Sequence, residues 1–236
     1  MQLRGLVIIA WLLALGLPVR AQDASPTPWV GMTLPPVSGV TTPLVEPKRG
    51  EDGIYHQTWA LNSFLDLRED LAEATAKGRR FAVIFEQRGC IYCTKMHTEV
   101  LAQKYINDYV RDNFTILQLD LFGAREVTDF DGTKLSEAKL AERWGVLFTP
   151  TVVFYKEPAD MPGPGTAAAV AWGPPLEVAR MSLGFGSATF FDLFVWVKAK
   201  IYLKDRNFQR FHIARMQMRD ALPKASSANG TAVKSN

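Results

Sequence analysis

The sequence predicts an α/β layered domain, a mixed sheet with helices on both faces, and three observations predict it. The first is a set of short apolar runs of strand type. "FAVIF" (Phe81–Phe85) lacks alternation, as a strand buried on both faces should, and "FTILQLDL" (Phe114–Leu121) and "TVVFY" (Thr151–Tyr155) follow it. The second is helical spacing in the stretches before, between and after those runs. The third is their order: helix, strand, helix, strand, helix, strand, strand, helix, which is the alternation of an α/β layer. No helix separates the last two strands, so that pair should be antiparallel.

Met1–Arg4 carries one basic side chain, Leu6–Leu17 is a twelve-residue apolar run, and Val19-Arg20-Ala21 follows. A charged start, a short apolar core and a small-residue cut site make a secretory signal peptide, with cleavage expected after Ala21. A spanning helix needs roughly 20 apolar residues, so an uncleaved anchor is the weaker alternative. Residues 22–54 form an extended lead-in, because Pro26, Pro28, Pro35, Pro36, Pro43 and Pro47 forbid helix and central strand. Trp59–Ala76 carries Leu61, Phe64, Leu65, Leu67, Leu71 and Ala74 at helical spacing, and Gly78 ends it. A long helix is expected from Cys93 to about Val110, a polar loop over Gly123–Thr133, and a short helix over Leu135–Trp144. Residues 157–175, rich in Pro, Gly and Ala, read as an inserted loop, and Leu176–Met181 as a fourth strand. Ser187–Tyr202 is an amphipathic helix with Phe190, Phe191, Phe194 and Val197 on its apolar side. The domain thus spans 55–203. Residues 204–236 hold a basic helix over 204–221 and a small, polar, disordered end from Ser226. That helix, with Arg206, Arg210, Arg215 and Arg219, is expected to pack back on its own domain; a membrane surface or an acidic partner is the alternative.

Charge excludes little except nucleic acid. The chain has 27 basic and 24 acidic side chains. Arg4 and Arg20 leave with the signal segment and no acid does, so the mature chain is close to neutral. With 47% apolar residues it can bury a full core.

Both cysteines lie in "FEQRGCIYC" (Phe85–Cys93), where a strand ends and a helix begins. An exported pair would ordinarily be a permanent bridge. Here residues i and i+3 of a first helical turn share a face, close enough for a disulfide that forms without backbone movement. Cys90 lies over free backbone N–H groups and the positive end of the helix dipole, which favour the thiolate. So small a loop makes a poor staple, worth roughly 2 kcal/mol against nearly 5 for a 100-residue loop. A soft-metal site on Cys90, Cys93 and His97, binding copper or zinc, is a second reading, although structural zinc wants four ligands. Haem attachment requires histidine where Thr94 stands. A cycling dithiol is the preferred reading, with no cofactor. Pro150, about 60 residues after Cys90 and directly before "TVVFY", adds a tight-turn or cis feature; the plainer alternative is a strand-start proline.

"GCIYC" with its helix, and "RWGVLFTPTVVFY", resemble the active-site turn and cis-proline strand of the thioredoxin superfamily. "FEQRGCIYCTKMH", "REVTDFDG" and "WGVLFTPT" resemble its exported SoxW-type members, over roughly Tyr55–Tyr202. The resemblance implies a thioredoxin-like fold, a central mixed sheet flanked by helices, with an N-terminal helical extension and a C-terminal helical tail. It implies Cys90 as the exposed attacking thiolate, Cys93 as the resolving thiol, and Thr149 with cis Pro150 presenting backbone to the substrate. Ile91 and Tyr92 would tune the potential. Gly89 replaces the family's tryptophan, and Ile84 replaces its buried aspartate. Glu86 is the nearest acid, and is expected either to take the proton role for Cys93 or to face solvent at a strand end. The implied activity is a periplasmic disulfide reductase acting on exported proteins of sulfur-oxidation or cytochrome c maturation type. Its electrons would come from a membrane thiol transporter of the CcdA/DsbD kind. A DsbA-like oxidant is the alternative direction.

Overall fold

The computed structural model describes residues 27–157 and 176–222. The expected signal segment, nearly all of the 157–175 loop and the polar end from Ser226 lie outside these residues. In chain order the elements are β1 (Lys48–Arg49), β2 (Tyr55–His56), α1 (Leu67–Ala76), β3 (Arg80–Glu86), α2 (Ile91–Lys95), α3 (Lys104–Asn113), β4 (Phe114–Asp120), β5 (Glu126–Thr128), β6 (Lys134–Ser136), α4 (Glu137–Arg143), β7 (Thr151–Tyr155), β8 (Glu177–Ser182), α5 (Ser187–Lys198) and α6 (Phe208–Asp220). A π turn over Met96–Val100 extends α2, and a 3-10 turn over Ile201–Leu203 follows α5.

The central sheet runs β4-β3-β7-β8. β3 and β4 are parallel, whereas β7 is antiparallel to both β3 and β8, as expected for the β7–β8 pair. Every residue of β3 is buried. Ala82 and Ile84 pack with Ile116, Val152 and Phe154 beneath α3 and α5. Phe81, Val83 and Phe85 pack with Leu117, Val153 and Tyr155 against α1 and α4. A strand covered on both faces has no polar side, which is why "FAVIF" does not alternate. The ring of Phe194 meets Phe114 and Phe154 edge-on, at 4.7 and 4.9 Å between centroids. Burying each such side chain stabilises by about 1.5–3 kcal/mol.

Four elements depart from the sequence expectation. The helix expected over Trp59–Ala76 begins only at Leu67. Leu65 has φ +63°, Asp66 is extended, and the Asp66 carboxylate accepts from Arg68 N at 3.0 Å, so Asp66 caps the helix. The stretch before it lies along β4, with Leu61 N donating to Ile116 O, and Phe64 is left in solvent. The helix expected over Cys93–Val110 begins at Ile91 and is broken at Gln103 (ψ 120°). The proline-rich lead-in causes the break: Ala102 O accepts from Val45 N, while Lys104 N and Tyr105 N donate to Thr41 O and Val40 O. The loop expected over Gly123–Thr133 contains β5, which pairs with β6 as a hairpin. Finally, α5 stops at Lys198, before a left-handed Lys200 (φ +54°).

The basic C-terminal helix packs back on the domain. Phe211 is fully buried against Trp29 of the lead-in, and the buried Asp192 carboxylate of α5 accepts from Arg215 and Arg219 of α6. No helix among the described residues is long and apolar enough to cross a membrane.

Asp70 of α1 is 4% exposed, and burial pushes its carboxyl up to about 6 against the pull of the Ser63 hydroxyl. The folded chain then holds this proton more tightly than the unfolded one, so its contribution to stability is full at low pH and is lost as pH rises through 6. Asp70→Asn should therefore raise the melting temperature at pH 7.5, and the gain should shrink as the buffer is taken down to pH 4. Thermal unfolding at several pH values checks this; a gain independent of pH would contradict it.

Candidate functional site

Gly89, at φ +76°, turns the chain out of β3, a conformation that side chains with a Cβ rarely adopt. Cys90 follows as the N-cap of α2, and its Sγ accepts from Cys93 N at 3.0 Å. Cys90 and Cys93 form a disulfide with Cα atoms 5.2 Å apart. The Thr149–Pro150 peptide is cis and faces this disulfide. Thr149 Oγ1 donates to Cys90 Sγ at 3.3 Å, and Thr149 O lies 3.5 Å from the same sulfur. Cys90 is 8% exposed and Cys93 3%, so the first cysteine is more enclosed than an open nucleophile, because the Thr149–Pro150 turn lies over it.

Apolar side chains stand in solvent around this point: Ile91, Tyr92, Leu147, Phe148, Leu183 and Phe185. A cavity of about 250 Å³ opens among Tyr92, Met96, Pro150, Leu183 and Phe185. Gly184 forms part of its wall; a Cβ there would come within 2.6 Å of the Tyr92 ring. The sequence singled out Ile91, Tyr92, Thr149 and Pro150, but not Leu147, Phe148 or the 183–185 loop, which no local pattern marks.

Behind the disulfide, Glu86 and His97 are both fully buried. His97 Nε2 lies 2.9 and 3.0 Å from the two Glu86 carboxylate oxygens, and its Nδ1 lies 3.1 Å from Gln57 Nε2. Gln118 Nε2 donates to Glu86 Oε1 at 2.9 Å. The Tyr55 ring stacks over the imidazole, 5.9 Å between centroids. Glu86 is thus not a solvent-facing strand end, because the backbone and side chains of residues 55–57, at and just after β2, lie over this pair. The helical spacing that put His97 on the face of Cys93 led to a Cys–Cys–His metal set. Both imidazole nitrogens are instead engaged by Glu86 and Gln57, and among the described residues no cluster of His, Cys, Asp and Glu is arranged to hold a metal. Glu86 and Cys93 line one cavity of about 100 Å³.

The family model of the thioredoxin-like domain matches residues 67–167. The described residues have a thioredoxin-like fold. Its four-stranded sheet, its helices on both faces, the Cys90–Cys93 disulfide at the start of α2 and the facing proline turn all fall within or beside that match. A thioredoxin-fold protein from Helicobacter pylori is 16% identical, covering 73% of this chain and 95% of its own, with a TM-score of 0.48. A thioredoxin from Thermus thermophilus is 25% identical, covering 59% and 85%, with a TM-score of 0.38. A DsbH oxidoreductase is 17% identical, covering 64% and 95%, with a TM-score of 0.39. No curated protein matches the chain. The thioredoxin-like fold together with cysteines at C-x-x-C spacing supports a thiol-disulfide oxidoreductase.

Proposed function

We propose that this protein is an exported, SoxW-like thiol-disulfide oxidoreductase that reduces disulfides of other exported proteins. The observation that carries the reading is the Cys90–Cys93 disulfide at the N-cap of α2, against the Thr149–Pro150 turn. In the reduced protein, the Cys93 N–H and Thr149 O–H groups that now meet Cys90 Sγ would donate to a Cys90 thiolate. With the helix dipole they favour the anion, which is the nucleophile. Cys90 attacks a substrate disulfide and expels one thiolate. Cys93 then attacks Cys90 of the mixed disulfide, closes the internal bond and expels the second. Two electrons leave the dithiol and two substrate sulfurs are reduced.

The exposed apolar rim and the cavity beside Pro150 offer a docking surface for an unfolded or extended segment, with Ile91 and Tyr92 at its edge. Thr149 and Pro150 present backbone to that segment. The apolar run before Ala21 supports export, and the periplasm is the compartment proposed. A reductase there needs electrons, for which a membrane thiol transporter of CcdA/DsbD type is the proposed donor. Proteins of sulfur oxidation or cytochrome c maturation are the proposed acceptors.

The deciding experiment is the reduction potential of Cys90–Cys93, titrated in dithiothreitol or glutathione buffers, alongside reduction of insulin disulfides. A value near thioredoxin's, about −270 mV, with insulin turnover, supports the reductase. A value near DsbA's, about −120 mV, reverses the direction.

A further inference from the structure

Two exposed guanidinium groups stand beside the disulfide without a counter-charge. The turn of the β1–β2 hairpin lies against Arg88, just beyond the end of β3. Arg49 Nε donates to Gly53 O at 3.3 Å, and its guanidinium carbon lies 6.0 Å from the centre of the Tyr55 ring. Arg88 Nε donates to Asp52 O at 2.8 Å. Neighbouring carbonyls of one turn thus hold both side chains by Nε, and neither forms an ion pair among the described residues. The acids nearby are engaged elsewhere or apart. The Asp52 carboxylate accepts from Ile54 N at 2.9 Å and lies 2.9 Å from His56 Nε2. Glu86 is fully buried and is met by Gln118 and His97. Glu51, exposed in the same turn, pairs with neither arginine. Arg49 lines the cavity of about 100 Å³ together with Gly89, Cys90 and Ile91, and Arg88 directly precedes Gly89. The apolar cavity among Tyr92, Pro150, Leu183 and Phe185 shares no lining residue with it. The charges on that second wall, Lys95 and Glu99, are opposite and offset each other. The surface around Cys90 is therefore asymmetric, basic on one side and apolar on the other.

We propose that Arg49 and Arg88 are specificity-determining residues that select disulfides flanked by carboxylates. The fitting substrate is a protein segment with acidic side chains on one side of the attacked cysteine and an apolar side chain on the other. The proposal rests on the oxidoreductase reading and deepens it by naming a substrate class. A guanidinium group presents a planar fork of donors that matches a carboxylate. Each Nε is already held by a carbonyl, which leaves the Nη groups of both side chains free of any protein carboxylate. Held in this way, the two arginines lose less freedom when a substrate arrives than free surface side chains would. Exposed ion pairs are individually weak and screened by salt, so the selection acts on encounter and on choice among substrates, not on tight binding. A disulfide flanked by lysine brings like charge to the same side and is disfavoured. The exchange chemistry is unaltered: Cys90 attacks, Cys93 resolves, and the arginines neither gain nor lose a bond to the reacting sulfurs.

Three peptide disulfides test this on the whole protein, identical except that Glu, Gln or Lys stands on both sides of the cysteine. Pre-reduced protein is mixed with each, and the second-order rate of peptide reduction is measured. The quantity read is the ratio of the Glu-flanked rate to the Lys-flanked rate, with the Gln-flanked peptide between them. Replacing both arginines, Arg49→Gln with Arg88→Gln, should lower that ratio about tenfold at low salt. Comparing the two proteins on the same peptides cancels the peptides' own reactivity and any general change in the Cys90 thiolate. In the unaltered protein the ratio should also fall as sodium chloride rises from about 50 to about 500 mM, because exposed charges are then screened within a few ångströms. In the glutamine variant it should barely respond. Arg49→Lys with Arg88→Lys keeps both charges and should retain most of the ratio. A ratio equal in the unaltered protein and the glutamine variant overturns the proposal. A loss as large in the lysine variant as in the glutamine variant overturns it too, since the shape of the turn and not its charge would then select. An unaltered protein that reduces none of the three peptides overturns the oxidoreductase reading instead.

Discussion

Cys93→Ser should turn the protein from a catalyst into a trap. Cys90 keeps its two donors from Thr149 Oγ1 and the residue-93 amide, so it still attacks a disulfide. Without the second sulfur nothing expels the attached partner, and turnover falls to the background rate. The expected result is a covalent adduct on Cys90 that survives non-reducing electrophoresis and falls apart in dithiothreitol. Cys90→Ser should lose turnover equally but hold no adduct, because Cys93 is the more deeply buried sulfur and meets no such pair of donors. An adduct on Cys93 in the Cys90→Ser variant, with none on Cys90 in Cys93→Ser, would exchange the two roles. The same trap supplies the natural substrates: partners held in this way can be released by reductant and identified.

The second large effect is expected far from the disulfide. Asp192 of α5 is fully buried and accepts from Arg215 Nε at 2.6 Å, Arg219 Nη1 at 2.7 Å and His212 Nδ1 at 2.7 Å. Arg215, 2% exposed, also donates to the carbonyls of Pro35 and Pro36, and Arg219 to that of Val37. One carboxylate thus joins α5, α6 and the lead-in. Asp192→Ala leaves two guanidinium groups without their counter-charge, one of them deep in the protein. Breaking a buried pair from one side costs about 3–5 kcal/mol. For a chain of this size each kcal/mol lowers the melting temperature by roughly 2–4 °C. The fall should thus be of order 10 °C, and protease should cut the lead-in and α6 first. Glu142→Gln removes an exposed partner of Lys139 and should leave the melting temperature unchanged. A loss in Asp192→Ala no larger than in Glu142→Gln would mean that this cluster holds nothing.

The two cases differ in how visible they are in the sequence. Strands β3 and β7 show as apolar runs because both faces of the sheet are covered there, whereas β4, at the sheet edge, alternates buried apolar with half-buried polar positions. Cys90, Cys93 and Pro150 show because turn and cap chemistry is local. The antiparallel pairing of β7 and β8 shows in the same way, because the sequence between them carries no helical spacing. Trp59–Asp66 misled because its apolar residues fall at helical intervals. The backbone there instead hydrogen-bonds to β4 through Leu61 N, and the Asp66 cap ends the ambiguity only once the Leu65 turn is made. The break at Gln103 could not be read at all, since its cause lies more than fifty residues earlier in the lead-in.

By itself the sequence determined the layered α/β order, the C-x-x-C pair at a strand–helix junction and the proline that meets it. Each depends on neighbours within a few residues, and periodicity or spacing records such dependence. Only the tertiary structure decided what lies behind the pair: Glu86 on β3, His97 on the π turn, Asn107 on α3, and Gln57 and Trp59 between β2 and α1. Their hydrogen bonds join groups up to fifty positions apart. A bond of that span leaves no trace in local spacing, and the set exists only after all five side chains have been brought together.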